Sequence, residues 1–167
     1  FLNPGNDIFR WDIDTDPYVD KSLMVLELNK LLNKRGRFIC MSRARRFGKT
    51  MMTNLMSAYY SKNCNSRELF ENLELSKHEG WDKYLNNVNV IQIDLQGFYS
   101  DAEDKSQTIR ILQRKVVDEL RKQFPTIEIQ NSVSIATAIT DIHNELGESF
   151  VIIIDEYDVL IRDKSVP

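Results

Sequence analysis

The stretch RFICMSRARRFGKT, residues 37–50, joins a short apolar run to a basic loop that ends in Gly48-Lys49-Thr50. Its first part, Arg37 to Ser42, has the length and composition of a short strand. After the loop, Met52, Leu55, Met56 and Tyr59 recur at helical spacing and predict a helix from about Lys49 to Tyr60. Residues Arg43 to Thr50 match the second half of GxxxxGK[ST], with Arg43 standing where the first glycine belongs. In that motif the backbone N–H groups wrap a phosphate and the helix N-terminus adds partial positive charge. The lysine reaches the outer phosphates and the hydroxyl ligates Mg²⁺. The residues expected to hold nucleotide phosphate are therefore Arg45, Arg46, Phe47, Gly48, Lys49, Thr50 and Met51, with Lys49 also catalytic and Thr50 also a metal ligand. A GK[ST] triplet alone is common; what gives it weight is its place between a predicted strand and a predicted helix.

A second signal lies far downstream, at Val151-Ile152-Ile153-Ile154-Asp155-Glu156. Four apolar residues followed by two carboxylates place Asp155 at the carboxyl end of a buried strand, where open α/β sheets bind ligands. Asp155 is expected to hold Mg²⁺ through its water shell and Glu156 to act as general base on the attacking water. A strand that simply ends in a polar turn would look the same, so the two signals count as a pair.

The remaining pattern alternates strands and helices. Phe1 to Asp20 reads as an irregular arm rich in Asn, Asp, Gly and Pro. Ser22 is expected to cap a helix whose face carries Leu23, Leu26, Leu28, Leu31 and Leu32, stopped at Lys34-Arg35-Gly36. Short helical pieces are expected around Ser66 to Asn72 and Trp81 to Leu85. Val90 to Leu95 predicts a strand that Gly97 and the polar run after it bring to an end. Helices follow over about Lys105 to Gln123, closed by Pro125, and from Ser132 or Ser134 to Gly147; Phe150 to Ile154 is the last strand. The alternation implies a parallel sheet in a three-layer α/β fold of the P-loop NTPase type. Residues 1–36 would form an arm and helix ahead of the first strand, and 37–167 a partial ATPase core, one structural domain in all.

Composition narrows the rest. A chain of 167 residues, 42% hydrophobic and 28% charged, has the make-up of an ordinary soluble domain. Its apolar runs are far shorter than the roughly 20 residues of a membrane span, and no secretory leader opens it, so a cytoplasmic location and no membrane partner are expected. Cys40 and Cys64 form no CxxC pair, and His78 and His143 have no metal-ligand company. A net charge of -3 argues against a surface that coats nucleic acid, leaving the local cluster Arg43, Arg45, Arg46 and Lys49. The chain starts at Phe1 and stops soon after its most apolar strand, which suggests a piece of a longer protein.

Five segments together resemble a known family. They are Asn3-Pro4-Gly5-Asn6-Asp7-x-Phe9, Tyr18-Val19-Asp20-Lys21-Ser22, Ser42-Arg43-x-Arg45-Arg46-Phe47-Gly48-Lys49-Thr50, Arg67-Glu68-Leu69-Phe70 and Ile154-Asp155-Glu156-Tyr157-Asp158. They resemble the bacterial AAA-ATPase-like proteins, whose full-length members often join a P-loop domain to a C-terminal nuclease-like domain of the PD-(D/E)xK type. Arginine at position 43 fits that family's usage; Ala44 departs from its usual proline. The resemblance implies ATP and Mg²⁺ as ligands, with sensor and arginine-finger residues, a homo-oligomer or a nucleic-acid contact supplied by parts beyond Pro167.

The resulting expectation is a domain that binds ATP and hydrolyses it in the intact protein, while this piece alone binds nucleotide weakly or not at all. The rival is a non-hydrolysing, nucleotide-gated module that controls a downstream nuclease-like domain. Two subsidiary expectations concern Asp94 and Gln96, which either orient Glu156 or cap a turn, and the arm residues Phe9, Tyr18, Asp20 and Lys21, which either meet an adenine or belong to the core. A nuclease within these residues is a poor reading, since no Asp followed by a Glu-x-Lys strand is visible and Asp155 and Glu156 have no lysine two residues on.

Overall fold

The helix that begins at Lys49 organises the first half of the chain. The computed structural model describes residues 1–42, 47–100, 104–129 and 134–159. They fall into two compact units, Asn3–Val88 and a second made of Phe1–Leu2 with Asn89–Pro167.

In the first unit the helices are α1 (Asp7–Ile13), α2 (Met24–Leu31), α3 (Lys49–Tyr60) and α4 (Arg67–Glu71), followed by a 3₁₀ turn at Glu74–Lys77. α3 buries Met52, Leu55, Ala58, Tyr59 and Tyr60, and also the polar Thr53, Asn54 and Ser57. Thr53 bonds within α3 and Asn54 across to α1. The Thr53 hydroxyl donates to the Thr50 carbonyl at 2.8 Å and the Asn54 amide to the Asp12 carboxylate of α1 at 2.8 Å, as burial of polar groups requires. An aromatic run fixes the far end: Phe9 stacks on Phe70 at 5.2 Å, Phe70 meets Tyr59 edge-on at 5.5 Å, and Tyr59 meets Tyr60 at 4.8 Å. Burial pushes the Tyr60 phenol well above its usual range. It stays a neutral donor to Asn29 at 2.8 Å, while Asn29 donates to Tyr59 at 3.1 Å. The last carbonyls of α3 would be orphans, but the Asn86 amide donates to those of Ala58 and Ser61 at 2.9 and 3.0 Å. α3 is thus held at its carboxyl end, which leaves its amino end at the edge of the unit's core.

Several expectations for this unit need correction. Residues 37–42 form no strand. They run irregularly and exposed, with Phe38 85% accessible, because an extended segment gains its hydrogen bonds only from a neighbour, and among the described residues it has no ladder partner. Ser22 does not cap α2, whose N-cap position is Leu23 without a side-chain cap; the Ser22 hydroxyl instead accepts the N–H of Leu75. α2 ends at Leu31, ahead of Lys34-Arg35-Gly36. Trp81 to Leu85 makes successive turns in place of a helix.

In the second unit β1 (Asn89–Asp94) pairs parallel with β2 (Phe150–Asp155), from Asn89 opposite Phe150 to Asp94 opposite Asp155. Between them run α5 (Leu95–Ser100), a 3₁₀ turn at Lys105–Gln107, α6 (Thr108–Gln123) and α7 (Ile135–Leu146). A parallel pair demands such a crossover. The core joins Ile91 and Ile93 of β1 to Leu112, Val116 and Leu120 of α6 and Ala138 and Ile142 of α7. Ser134 caps α7 by accepting the Thr137 N–H, and Gly147 closes it in the left-handed conformation, both as expected. Two expectations fail here. The helix α5 takes over directly where β1 was to fade into a polar run, because the Asp94 carboxylate accepts the Gly97 N–H at 3.0 Å and starts a helical turn. β2 is not covered on both faces: Ile153 is buried, but Ile152 and Ile154 are 49% and 48% exposed. The observed sheet, among the described residues, has two strands, and no described helix is long and apolar enough to cross a membrane.

Phe70 has no exposed surface and contacts two other rings. Phe70→Ala should destabilise the protein by about 3–5 kcal/mol in urea unfolding; a loss below about 1 kcal/mol would mean the aromatic run does not hold α1, α3 and α4 together.

Candidate functional site

The amino end of α3 starts from a backbone shape that few residues tolerate. Gly48 is its N-cap at φ 72° and ψ 35°, in the left-handed region, where a Cβ would cost about 1–2 kcal/mol. The Lys21 ammonium comes close to the same face, 2.8 Å from where a Cβ would lie. Lys49 and Thr50 follow as the first two helical residues, half-buried and exposed respectively. The first turn holds no acidic side chain, so nothing in it offsets the positive end of the helix dipole. Met51 is the third residue, and the exposed Phe47 precedes Gly48. Arg45 and Arg46 lie outside the described residues, as do Arg43 and Ala44.

Beside this helix end is an open concavity of about 360 Å³, lined among others by Tyr18, Lys21, Phe47, Gly48, Met51 and Leu55. Of the arm residues, Phe9 is core, stacked on Phe70, whereas Tyr18 and Lys21 reach the concavity. Burial, reinforced by the carboxylates of Asp20 and Asp12, pushes the Tyr18 phenol up to about 12, so it is a neutral hydroxyl at any physiological pH. The Lys21 ammonium donates to the Phe47 carbonyl at 2.7 Å. Asp20 is tied elsewhere: its carboxylate accepts the N–H groups of Ser22 and Glu74, each at 2.7 Å. Partial burial opposes its charge, but those two N–H groups, the Ser22 hydroxyl and the Lys77 ammonium outweigh that and hold the carboxyl below its usual range.

In the second unit, Asp155 and Glu156 stand together at the carboxyl end of β2. The Asp155 carboxylate accepts the N–H of Glu156 at 2.9 Å, and Glu156 adopts φ 51°. A non-glycine residue in that region stores on the order of 1–3 kcal/mol of strain, a cost found where the turn serves a site. Asp94, opposite Asp155 in register, is engaged with the Gly97 N–H, and the Gln96 amide donates to the Ser100 hydroxyl at 3.1 Å. The turn-capping alternative is therefore the one seen for Asp94, whereas the Gln96 bond is a side-chain contact within α5. Among the described residues no group of three or more His, Cys, Asp or Glu side chains gathers as a metal site.

The family profile described as "Predicted AAA-ATPase" matches residues 12–165, nearly the whole chain and both units. The chain belongs to this AAA-ATPase-like family. It is also similar to an "Uncharacterized protein in vnfD 5'region" of Azotobacter chroococcum mcd 1, 28% identical over 147 residues that make up 87% of this chain and 26% of the relative. The chain thus spans about a quarter of that relative's length. No solved structure matches it. Membership of a predicted ATPase family implies a nucleotide ligand, and the AAA-ATPase-like segment contains both groups of residues singled out above.

The structure brings Phe47, Gly48, Lys49, Thr50 and Met51 together in one unit and Asp155 with Glu156 in the other. What sequence reading missed is the contact between Lys21 and the loop, made across 26 positions, and the anchoring role of Asp20. No local pattern announces either one.

Asp20 gives a pH prediction. A carboxyl whose folded pKa lies below its ordinary 3.8 stabilises the fold above that value, and the contribution disappears as pH falls through the lowered pKa. Wild type should therefore exceed Asp20→Asn in stability near neutrality, and the gap should close below pH 3.8. Chemical denaturation of both proteins across acid pH measures it; a gap that persists unchanged at the acid end would refute the assignment.

Proposed function

We propose that this chain is the nucleotide-binding part of a P-loop ATPase of three-layer α/β type, with ATP and Mg²⁺ as ligands. The observation that carries the reading is the left-handed Gly48 at the head of a 12-residue helix whose next residues are Lys49 and Thr50. A helix begun this way turns its first N–H groups toward an anion, as phosphate-binding loops do. The residues fit the ligand: a glycine where a Cβ would be strained, a lysine and a hydroxyl in the first turn, and no competing carboxylate there.

In this reading Gly48 and the first N–H groups of α3 cradle the phosphates, Lys49 neutralises the charge that builds on the transferred phosphoryl group, and Phe47 and Met51 flank them. Arg45 and Arg46 add phosphate contacts. Thr50 and Asp155 hold Mg²⁺, which supplies charge neutralisation at the phosphates; such an ion keeps several waters and needs only one or two protein ligands. Glu156 takes a proton from the attacking water. The reading is supported by family membership, since the matched residues 12–165 include both groups. The concavity beside Gly48, with Tyr18 as a neutral hydroxyl, is the place proposed for the base of the nucleotide.

Direct binding and phosphate-release measurements on the intact protein test this. Lys49→Ala should weaken ATP binding at least tenfold, the scale of one lost charge-assisted contact. Glu156→Gln should leave binding within a few-fold and lower turnover by about a hundredfold or more. Unchanged ATP affinity in Lys49→Ala would end the proposal, whereas ATP binding without phosphate release, indifferent to Glu156→Gln, would favour the nucleotide-gated module.

A further inference from the structure

Lys21 lies outside the phosphate motif, yet its ammonium meets the peptide that leads into it. The Nζ donates to the carbonyl of Phe47 at 2.7 Å and approaches Gly48 so closely that a Cβ there would sit 2.8 Å from it. The backbone on either side of Lys21 is pinned. Asp20 accepts the N–H of Glu74 at 2.7 Å, and the fully buried Ser22 accepts the N–H of Leu75 at 3.1 Å. These are the first two residues of the 3₁₀ turn Glu74–Lys77, whose opening N–H groups would otherwise lack partners. Two neighbours thus clamp the segment to this turn, whose Leu75 is buried, and the lysine between them is directed onto the loop.

The consequence follows from peptide geometry. In a trans peptide the C=O and N–H point in opposite directions, so an ammonium that holds the Phe47 carbonyl also fixes the Gly48 N–H, turned away from Lys21. That fixing matters because glycine resists a peptide flip less than any other residue, and a flipped 47–48 peptide would show its carbonyl where the N–H should be. A carbonyl dipole facing a phosphate repels it.

We infer that Lys21 is a positioning residue for the phosphate site: it latches the Phe47–Gly48 peptide so that the Gly48 N–H is presented to the anion. The inference rests on the reading of Gly48, Lys49 and Thr50 as a phosphate site. It predicts which ligands suffer when the latch is removed. Pyrophosphate and ATP depend on the presented N–H, whereas adenosine, which has no phosphate, does not. The lysine's aliphatic stem also lines the concavity, so Lys21→Met, which keeps a stem and loses the donor, separates the two contributions.

The test measures affinities of the intact protein for pyrophosphate, ATP and adenosine, with Lys49→Ala as reference. Lys21→Met should weaken pyrophosphate and ATP about tenfold, with adenosine affinity unchanged and Lys21→Arg, which keeps a cationic donor, close to wild type. The carbonyl carbon resonance of Phe47, labelled with ¹³C, should shift in ligand-free Lys21→Met and return in Lys21→Arg; this reading stands even if the methionine variant is less stable. An unmoved Phe47 resonance, or an equal loss for adenosine and pyrophosphate, overturns the inference. If Lys49→Ala loses pyrophosphate and Lys21→Met does not, Lys21 alone is wrongly assigned. If neither wild type nor Lys49→Ala binds pyrophosphate, the phosphate site itself fails and the latch with it.

Discussion

A helix that opens on a left-handed glycine is the constraint on which the first unit depends. Gly48 turns the chain into α3 at φ 72°, and from there the helix runs into a core of Leu55, Tyr59 and Tyr60. Its carboxyl end is closed by the Asn86 amide and its middle by Asp12. Packing therefore fixes the helix at every point except the amino end, where N–H groups without helical partners gather. The buried turns of this element hold it, and its first turn, with Thr50 exposed, is the part nearest the surface.

The same division appears in the second unit. β1 and β2 lie in parallel register with α6 and α7 packed on the apolar side chains of β1. Both strands end in an aspartate, but the two carboxylates have different work. Asp94 starts α5 by accepting the Gly97 N–H, while Asp155 accepts the N–H of its own neighbour and shapes the strained turn at Glu156. Asp155 and Glu156 thus lie beyond the carboxyl end of a parallel strand, the side on which open α/β sheets bind ligands.

Sequence reading succeeded where the signal is local. The α3 and α6 periodicities, the Ser134 and Gly147 caps and the apolar run of β2 are properties of short windows, and all appear close to where they were expected. It failed where the outcome depends on a neighbour. Residues 37–42 have strand composition, but a strand exists only through its partner's hydrogen bonds, and Phe38 stays almost fully exposed. Gly97 looked like a terminator and lies inside α5, since the Asp94 cap outweighs its low helix propensity.

By itself the sequence determined residue type and spacing: a glycine, a lysine and a hydroxyl at the head of a helix, and two carboxylates at the tail of an apolar strand, in a chain whose residues 12–165 match the AAA-ATPase-like family. These depend on residue type and spacing along a few positions, which the backbone's local preferences convert directly into turns and helix ends. The tertiary structure alone decided that Ser22 serves a distant 3₁₀ turn, that Asp20 anchors the segment that aims Lys21, and that the Lys21 ammonium rests on the Phe47 carbonyl. Each of those bonds joins residues 26 to 54 positions apart. No periodicity encodes such a pairing, because it exists only once the core has brought the segments within hydrogen-bonding distance.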